Sequence, residues 1–142
     1  MKVMGKHIRL AVIGTRTYTN RKRVYFELDE LAKLYRIDVI ISGCAEDDDK
    51  AKGPDAFARD WAKERGVPYK GYPAKWDDFS PPCLRRTGLY GEYNALAGPN
   101  RNTLIAEDAT NAIAFHDRVS TGTADCISKF ESRGKKVKTI KV

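Results

Sequence analysis

Apolar and polar positions divide the chain into short buried strands that alternate with amphipathic helices. His7-Ile8-Arg9-Leu10-Ala11-Val12-Ile13-Gly14 is an apolar run that ends at glycine, the pattern of a buried strand. Between about Arg21 and Tyr35, Val24, Leu28, Leu31 and Tyr35 step by four, three and four residues, which is one helical face, and Thr19 or Asn20 is placed to cap it. Asp38-Val39-Ile40-Ile41-Ser42-Gly43 reads as a second short strand. Gly53-Pro54-Asp55 opens the next helix, with Pro54 in its first turn, Phe57 and Trp61 inward and Gly66 at its end.

Val67 to Tyr72 gives a third strand, weakened by Pro68. Residues 73–98 mix prolines, glycines and aromatics without a clean period, and predict an irregular or partly helical excursion, a candidate lid. Pro99 then stands in the first turn of a helix that runs to about Asp108. Asn111 to His116 is a fourth strand. A helix from Thr121 or Gly122 carries Ile127 and Phe130 inward and stops at Gly134, and Val137 to Val142 is a last strand with lysines on one side.

Strands alternating with helices predict an α/β three-layer sandwich, Rossmann-like, over a mainly parallel five-stranded sheet. Right-handed crossovers favour the strand order 3-2-1-4-5, with one domain covering residues 1–142. The topological switch point then lies between strands one and four, where ligands of open α/β sheets bind. The loops leaving those strands are Gly14-Thr15-Arg16 and Asp117 to Thr123, so topology and loop chemistry select the same place.

The candidate chemistry is that of a phosphate seat. Ser120-Thr121-Gly122-Thr123-Ala124-Asp125 starts a helix, where unpaired amides, a glycine that admits close approach and two threonine hydroxyls suit an anion. Ala97-Gly98-Pro99-Asn100-Arg101-Asn102 reads as another loop opening a helix, with Arg101 as a bidentate phosphate donor and Asn102 beside it. Gly14, Thr15 and Arg16 follow the same logic, but lack the GxGxxG fingerprint of ordinary dinucleotide binding. Asp55 and Asp125, each in a first helical turn, suit capping or the helix dipole, and Asp125 also suits a ribose hydroxyl or a base. Trp76, or Tyr90 or Tyr93, is placed to cover a base.

Other classes find less support. No apolar run approaches the ~20 residues of a membrane span, and the N-terminus lacks a signal-like apolar core, so a cytoplasmic location and no membrane partner are expected. Cys44, Cys83 and Cys126 lack CxxC spacing, and His7 and His116 lack partners at ligand spacing, so no metal and no cofactor are expected. No Ser-His-Asp or Cys-His set is evident. The tract Glu46-Asp47-Asp48-Asp49 reads as a solvated loop. The net charge of +7 is concentrated at the ends: residues 1–23 carry seven Lys/Arg and residues 133–142 five, without an acid in either. Those ends suit a solvated, lysine-guarded edge, or a nucleic acid as a less favoured partner.

The motifs in order resemble the SLOG superfamily, in its YspA/YpsA-related branch, which is often found in bacteria and phages. They are Ile13-Gly14-Thr15-Arg16, Ser42-Gly43-Cys44-Ala45, Gly53-Pro54-Asp55 with Trp61-Ala62, Tyr72-Pro73-Ala74-Lys75-Trp76, Ala97 to Asn102, and Thr121 to Asp125. The resemblance implies a Rossmann-like fold that binds a nucleotide or nucleotide-derived small molecule, frequently as a homo-oligomer. It makes Gly43 and Asp55, with Gly98, part of the ligand-binding set. Two departures stand out. Glu46 to Lys52 appear as an insertion before Gly53, and Cys126 occupies the place of the glutamate of the related Lonely Guy phosphoribohydrolases. Arg101 matches the catalytic arginine of that group. If the protein is an enzyme, N-glycosidic cleavage of a nucleoside monophosphate would rest on Arg101 and Asp125, and the thiol at Cys126 leaves binding or sensing the favoured reading.

Overall fold

The computed structural model describes residues 6–80, 83–89 and 91–142. Its elements are β1 (His7–Gly14), α1 (Arg21–Leu34), β2 (Arg36–Ser42), α2 (Pro54–Arg65), β3 (Tyr69–Gly71), β4 (Arg85–Gly88), β5 (Gly91–Asn94), α3 (Ala97–Asp108), β6 (Asn111–His116), α4 (Thr121–Ser132) and β7 (Lys136–Lys141). Five strands form one sheet in the order β3-β2-β1-β6-β7, and every pairing in it is parallel. This is the expected order, with the hairpin β4–β5 adding two strands to the count outside the sheet.

Side chains alternate across β1 and separate two cores. Ile8, Leu10 and Val12 pack with Val24, Leu28 and Leu31 of α1 and with Ala58, Trp61 and Ala62 of α2. Ala11 and Ile13 face the other way, onto Ile105 and Ala106 of α3 and Cys126 and Phe130 of α4. The helices therefore cover both faces, as the continuous apolar runs of β1, β2 and β6 require. Trp61 is buried and its Nε1 donates to Asp29 Oδ1 at 2.9 Å, which ties α2 to α1.

Asn20 is the cap of α1: its side chain accepts from the Arg23 amide at 3.1 Å. Asn20→Ala is expected to lower stability by about 1 kcal/mol in urea unfolding, with an unchanged far-ultraviolet circular dichroism spectrum.

Residues 73–98 depart from the expected irregular excursion. Arg85–Gly88 and Gly91–Asn94 pair as an antiparallel hairpin, and α3 begins at Ala97, two residues before Pro99. Buried Asn94 joins hairpin to helix: its Oδ1 accepts from the amides of Leu84 and Leu96, and its Nδ2 donates to the Asp78 carbonyl. Tyr90, one of the residues suggested to cover a base, and Lys2 of the basic N-terminus lie outside the described residues. No helix among the described residues is long and apolar enough to cross a membrane.

Candidate functional site

Parallel strands deliver their carboxyl ends to one side of the sheet. β1 and β6 are adjacent and in register up to Gly14 opposite Phe115, so the loops that leave them emerge together. The loop after β2 and the start of α2 close over the same ground. Gly14 permits this, since a Cβ there would stand 2.6 Å from Pro54 Cγ and 2.9 Å from the Phe115 carbonyl oxygen. Gly53 permits it too, with φ of +78° and its Cβ position 2.9 Å from the Arg16 Cα.

Between these loops lies a cavity of about 690 Å³. Gly14, Thr15, Arg16, Gly43, Asp55, Trp76, Arg101, Asn102, Gly122 and Thr123 all line it. Thr121, Gly98 and Asp125 are not in its wall. Thr121 is the exposed first residue of α4, and Gly98 lies beneath Trp76, 3.1 Å from Cη2 at its Cβ position. Asp125 Oδ2 accepts from Lys129 Nζ at 2.6 Å and from Asn102 Nδ2 at 3.1 Å.

The approach to α4 is a built turn. Asp117 Oδ1 accepts from the amides of Val119 (2.9 Å) and Ser120 (2.7 Å), which holds its carboxyl below the usual carboxylate range. Arg118 between them takes a φ of +68°, a conformation seldom adopted by a residue with a long side chain. Ser120 caps the helix, its Oγ accepting from the Thr123 amide and hydroxyl. Among the described residues the amides of Thr121 and Gly122 have no acceptor, and nothing stands within 4 Å of a Cβ placed on Gly122. An anion therefore has two unengaged donors, the positive end of a helix and room to approach.

Arg101 reaches the cavity from within α3. The segment Ala97–Asn102 is helix rather than the expected opening loop, so side chains and not backbone amides meet the cavity here. A row of hydrogen bonds crosses the floor. Asn102 Nδ2 donates to the Gly122 carbonyl at 3.2 Å, and Arg101 Nε donates to Asn102 Oδ1 at 3.0 Å. Arg101 Nη1 donates to the carbonyls of Gly43 (2.9 Å) and Tyr72 (3.4 Å), and the Gly43 amide donates to Asp55 Oδ2 at 3.2 Å. Arg101 Nη2 has no protein acceptor among the described residues.

Asp55 ends this row. The residue as a whole is half-buried, yet its Oδ1 is closed to solvent and has no hydrogen-bond partner. Burial pushes its carboxyl up to about 6, although Arg101, the Gly43 amide and Arg16 each pull it down. Cys126 stands in the wall with its thiol pushed up to about 12, first by burial and then by the charge of Asp55. Burial also raises the thiol of Cys44. Neither sulfur is a ready thiolate near neutral pH.

The wall also contains residues that the sequence alone does not single out. Asp48, Lys50, Ala51 and Lys52 come from the inserted segment. Arg59 holds that segment in place, with Nη1 donating to the carbonyls of Ala45 (3.2 Å) and Asp48 (2.6 Å). The legible signal was there: two lysines follow the acids within a segment flanked by Ser42-Gly43 and Gly53-Pro54-Asp55, both of which reach the cavity. Among the described residues, no three His, Cys, Asp or Glu side chains gather as a metal ion would require.

No curated protein and no solved structure matches the chain at a significant level. A family model does match, that of the YspA, cpYpsA-related SLOG family, over residues 8–79. The matched stretch runs from β1 through the first residues after β3, and so includes Thr15, Arg16, Gly43, Asp55 and Trp76 of the cavity wall. With half the chain matched and the sheet order expected of it, the chain belongs to the YspA, cpYpsA-related SLOG family.

Proposed function

We propose that the cavity binds a nucleotide or nucleotide-derived small molecule. Family membership points to a nucleotide-related ligand, bound or processed. The observation that carries the reading is the convergence of Arg16, Arg101 and the start of α4 on one cavity of about 690 Å³, within the size range of small-ligand pockets. In this reading phosphate rests at the start of α4 on the Gly122 amide, Arg101 and Arg16 supply countercharge, and Trp76 covers the base. Trp76 meets Tyr93 edge-on, with ring centroids 6.4 Å apart, which leaves a face for stacking.

Hydrolysis by Arg101 and Asp125 finds less support, because both contacts of Asp125 Oδ2 lie within the protein. A nucleic-acid partner on the basic C-terminal end also finds less. Lys135 Nζ donates to the carbonyls of Ala106 and Glu107, and Lys138 pairs with Glu27 at 3.3 Å.

A thermal-shift panel of nucleoside mono-, di- and triphosphates tests the proposal. At least one is expected to raise the melting temperature, and Arg101→Ala is expected to remove the rise while the protein stays folded. No rise across the panel, or an undiminished rise in Arg101→Ala, overturns the reading.

A further inference from the structure

We infer that Lys50 and Lys52 of the inserted segment form a second anion seat in the cavity, so that the preferred ligand carries at least two phosphate groups. The inference rests on the proposed nucleotide site and names the class of nucleotide it takes.

The inserted segment sorts its charges between two cavities. Glu46, Asp47 and Asp49 line a neighbouring cavity of about 370 Å³, where Arg59 and Lys63 stand with them. Lys50 and Lys52 line the main cavity instead, and only Asp48 belongs to both walls. The segment is held in this arrangement. The Asp48 amide donates to the Ala45 carbonyl and the Ala51 amide to the Asp48 carbonyl, each at 3.3 Å, while Arg59 grips the carbonyls of Ala45 and Asp48. Asp48 Oδ1 accepts from the Lys50 amide at 3.1 Å, so the backbone and not the ammonium of Lys50 meets that acid.

The lysine charges are left without a counterion. Among the described residues, the lysines in ion pairs are Lys33, Lys70, Lys129 and Lys138. Lys50 and Lys52 make none, although three aspartates immediately precede Lys50. Lysines beside a run of acids pair with them at little cost when nothing else claims the charge. Here the two cations stand in a cavity wall that already holds Arg16 and Arg101. Like charges gathered in this way repel one another, and an anionic ligand relieves that repulsion.

The sheet order separates the two seats. β2, β1 and β6 are consecutive strands, and the inserted segment follows β2 while α4 follows β6. Two strand spacings put these exits roughly 10 Å apart. A phosphate hydrogen-bonded to the Gly122 amide at about 3 Å occupies the β6 end alone. Arg16, on the loop after β1, lies between the two exits, and its charge acts on Asp55. A second phosphate therefore meets Lys50 and Lys52 across Arg16, where charge-assisted bonds add to those of the first.

Calorimetric titration of the full chain in magnesium-free buffer tests the assignment. The probes are the 5′-mono-, di- and triphosphates and the 3′,5′-bisphosphates of adenosine, guanosine, cytidine and uridine. A second phosphate is expected to tighten binding by about tenfold or more over the monophosphate of the same base. A gain with the 5′-diphosphate marks a continuous phosphate chain, and a gain with the 3′,5′-bisphosphate marks separated groups. Either supports the second seat. In the double variant Lys50→Gln/Lys52→Gln, ligands with one and with two phosphates are expected to bind within about twofold of each other. The double variant Lys136→Gln/Lys141→Gln, on exposed positions of β7, removes the same net charge and is expected to keep the tenfold gain. The comparison on the unaltered chain needs no variant to fold. If that chain binds one and two phosphates equally, the second seat is overturned and the nucleotide site stands. The same follows if Lys50→Gln/Lys52→Gln keeps the gain or the β7 variant loses it. If none of these nucleotides binds, both readings fall together.

Discussion

Gly43→Ala is expected to abolish the response to nucleotides while leaving the fold intact. A methyl group there stands directly against Arg101 Nη1 and 2.8 Å from Asp55 Oδ2. The Gly43 backbone is not in the left-handed region, so alanine meets no dihedral penalty of its own. Relief comes from the more flexible neighbour: the guanidinium swings away and gives up its bonds to the carbonyls of Gly43 and Tyr72. Two such bonds, partly offset by the lower entropy of an unfolded chain with one glycine fewer, amount to about 1–2 kcal/mol. The melting temperature should fall by a few degrees and the cooperative transition should remain. The nucleotide-induced rise should vanish, since Arg101 no longer faces the cavity. Thermal melts with and without nucleotide check both halves, and a preserved rise in a folded Gly43→Ala protein contradicts the proposed role of Arg101.

Asp55→Asn is expected to stabilise the ligand-free protein at pH 7.5 by as much as about 3 kcal/mol, with the gain vanishing near pH 4. The sign follows from burial. The folded carboxyl is raised from 3.8 to about 6, chiefly by loss of solvation, so the native state holds this proton more tightly than the unfolded chain does. The resulting stability is complete below about pH 4 and is lost as pH rises through about 6. About two pKa units at 1.36 kcal/mol each set the ceiling. Asparagine imitates the protonated form and keeps an acceptor for the Gly43 amide, so it avoids the loss. Asp108 runs the opposite way. Against the cost of partial burial, Tyr72, Lys70 and Arg9 bring its carboxyl down to about 2, so its contribution is lost as pH falls below about 4. That loss is common to both proteins and cancels in their difference. Urea unfolding of the two proteins from pH 4 to 8 reads the effect, and a difference independent of pH excludes an ionised, unpaired Asp55.

The elements with regular periods were legible in the sequence. Val24, Leu28 and Leu31 marked the buried face of α1, and the runs of β1, β2 and β6 carried the parallel sheet. The adjacency of β1 and β6 followed from handedness alone. The hairpin was not legible, for a physical reason. Arg85–Gly88 is exposed at every position, so no alternation records which face lies inward. Gly88 and Gly91, with two residues between them, were the turn signal it offered. Among the candidate site residues, Arg16, Gly43, Asp55, Arg101 and Asn102 all line one cavity, but the orientation of Asp125 was not legible. Lys129 lies one turn along and captures it, a contact that competes with the cavity and leaves no trace in a loop motif. The role of residues 50–52 depended on Arg59, whose grip on two carbonyls appears only in three dimensions.

The outermost strands limit how copies of this chain can meet. β3 offers three residues, too few for a lasting ladder with a neighbour, and β7 presents exposed Lys136, Lys138 and Lys141 along a rim where a second strand would have to desolvate them. Extension of the sheet from one molecule into the next is therefore disfavoured at either margin. Helix faces and the hairpin are then the surfaces on which two copies could meet without extending the sheet.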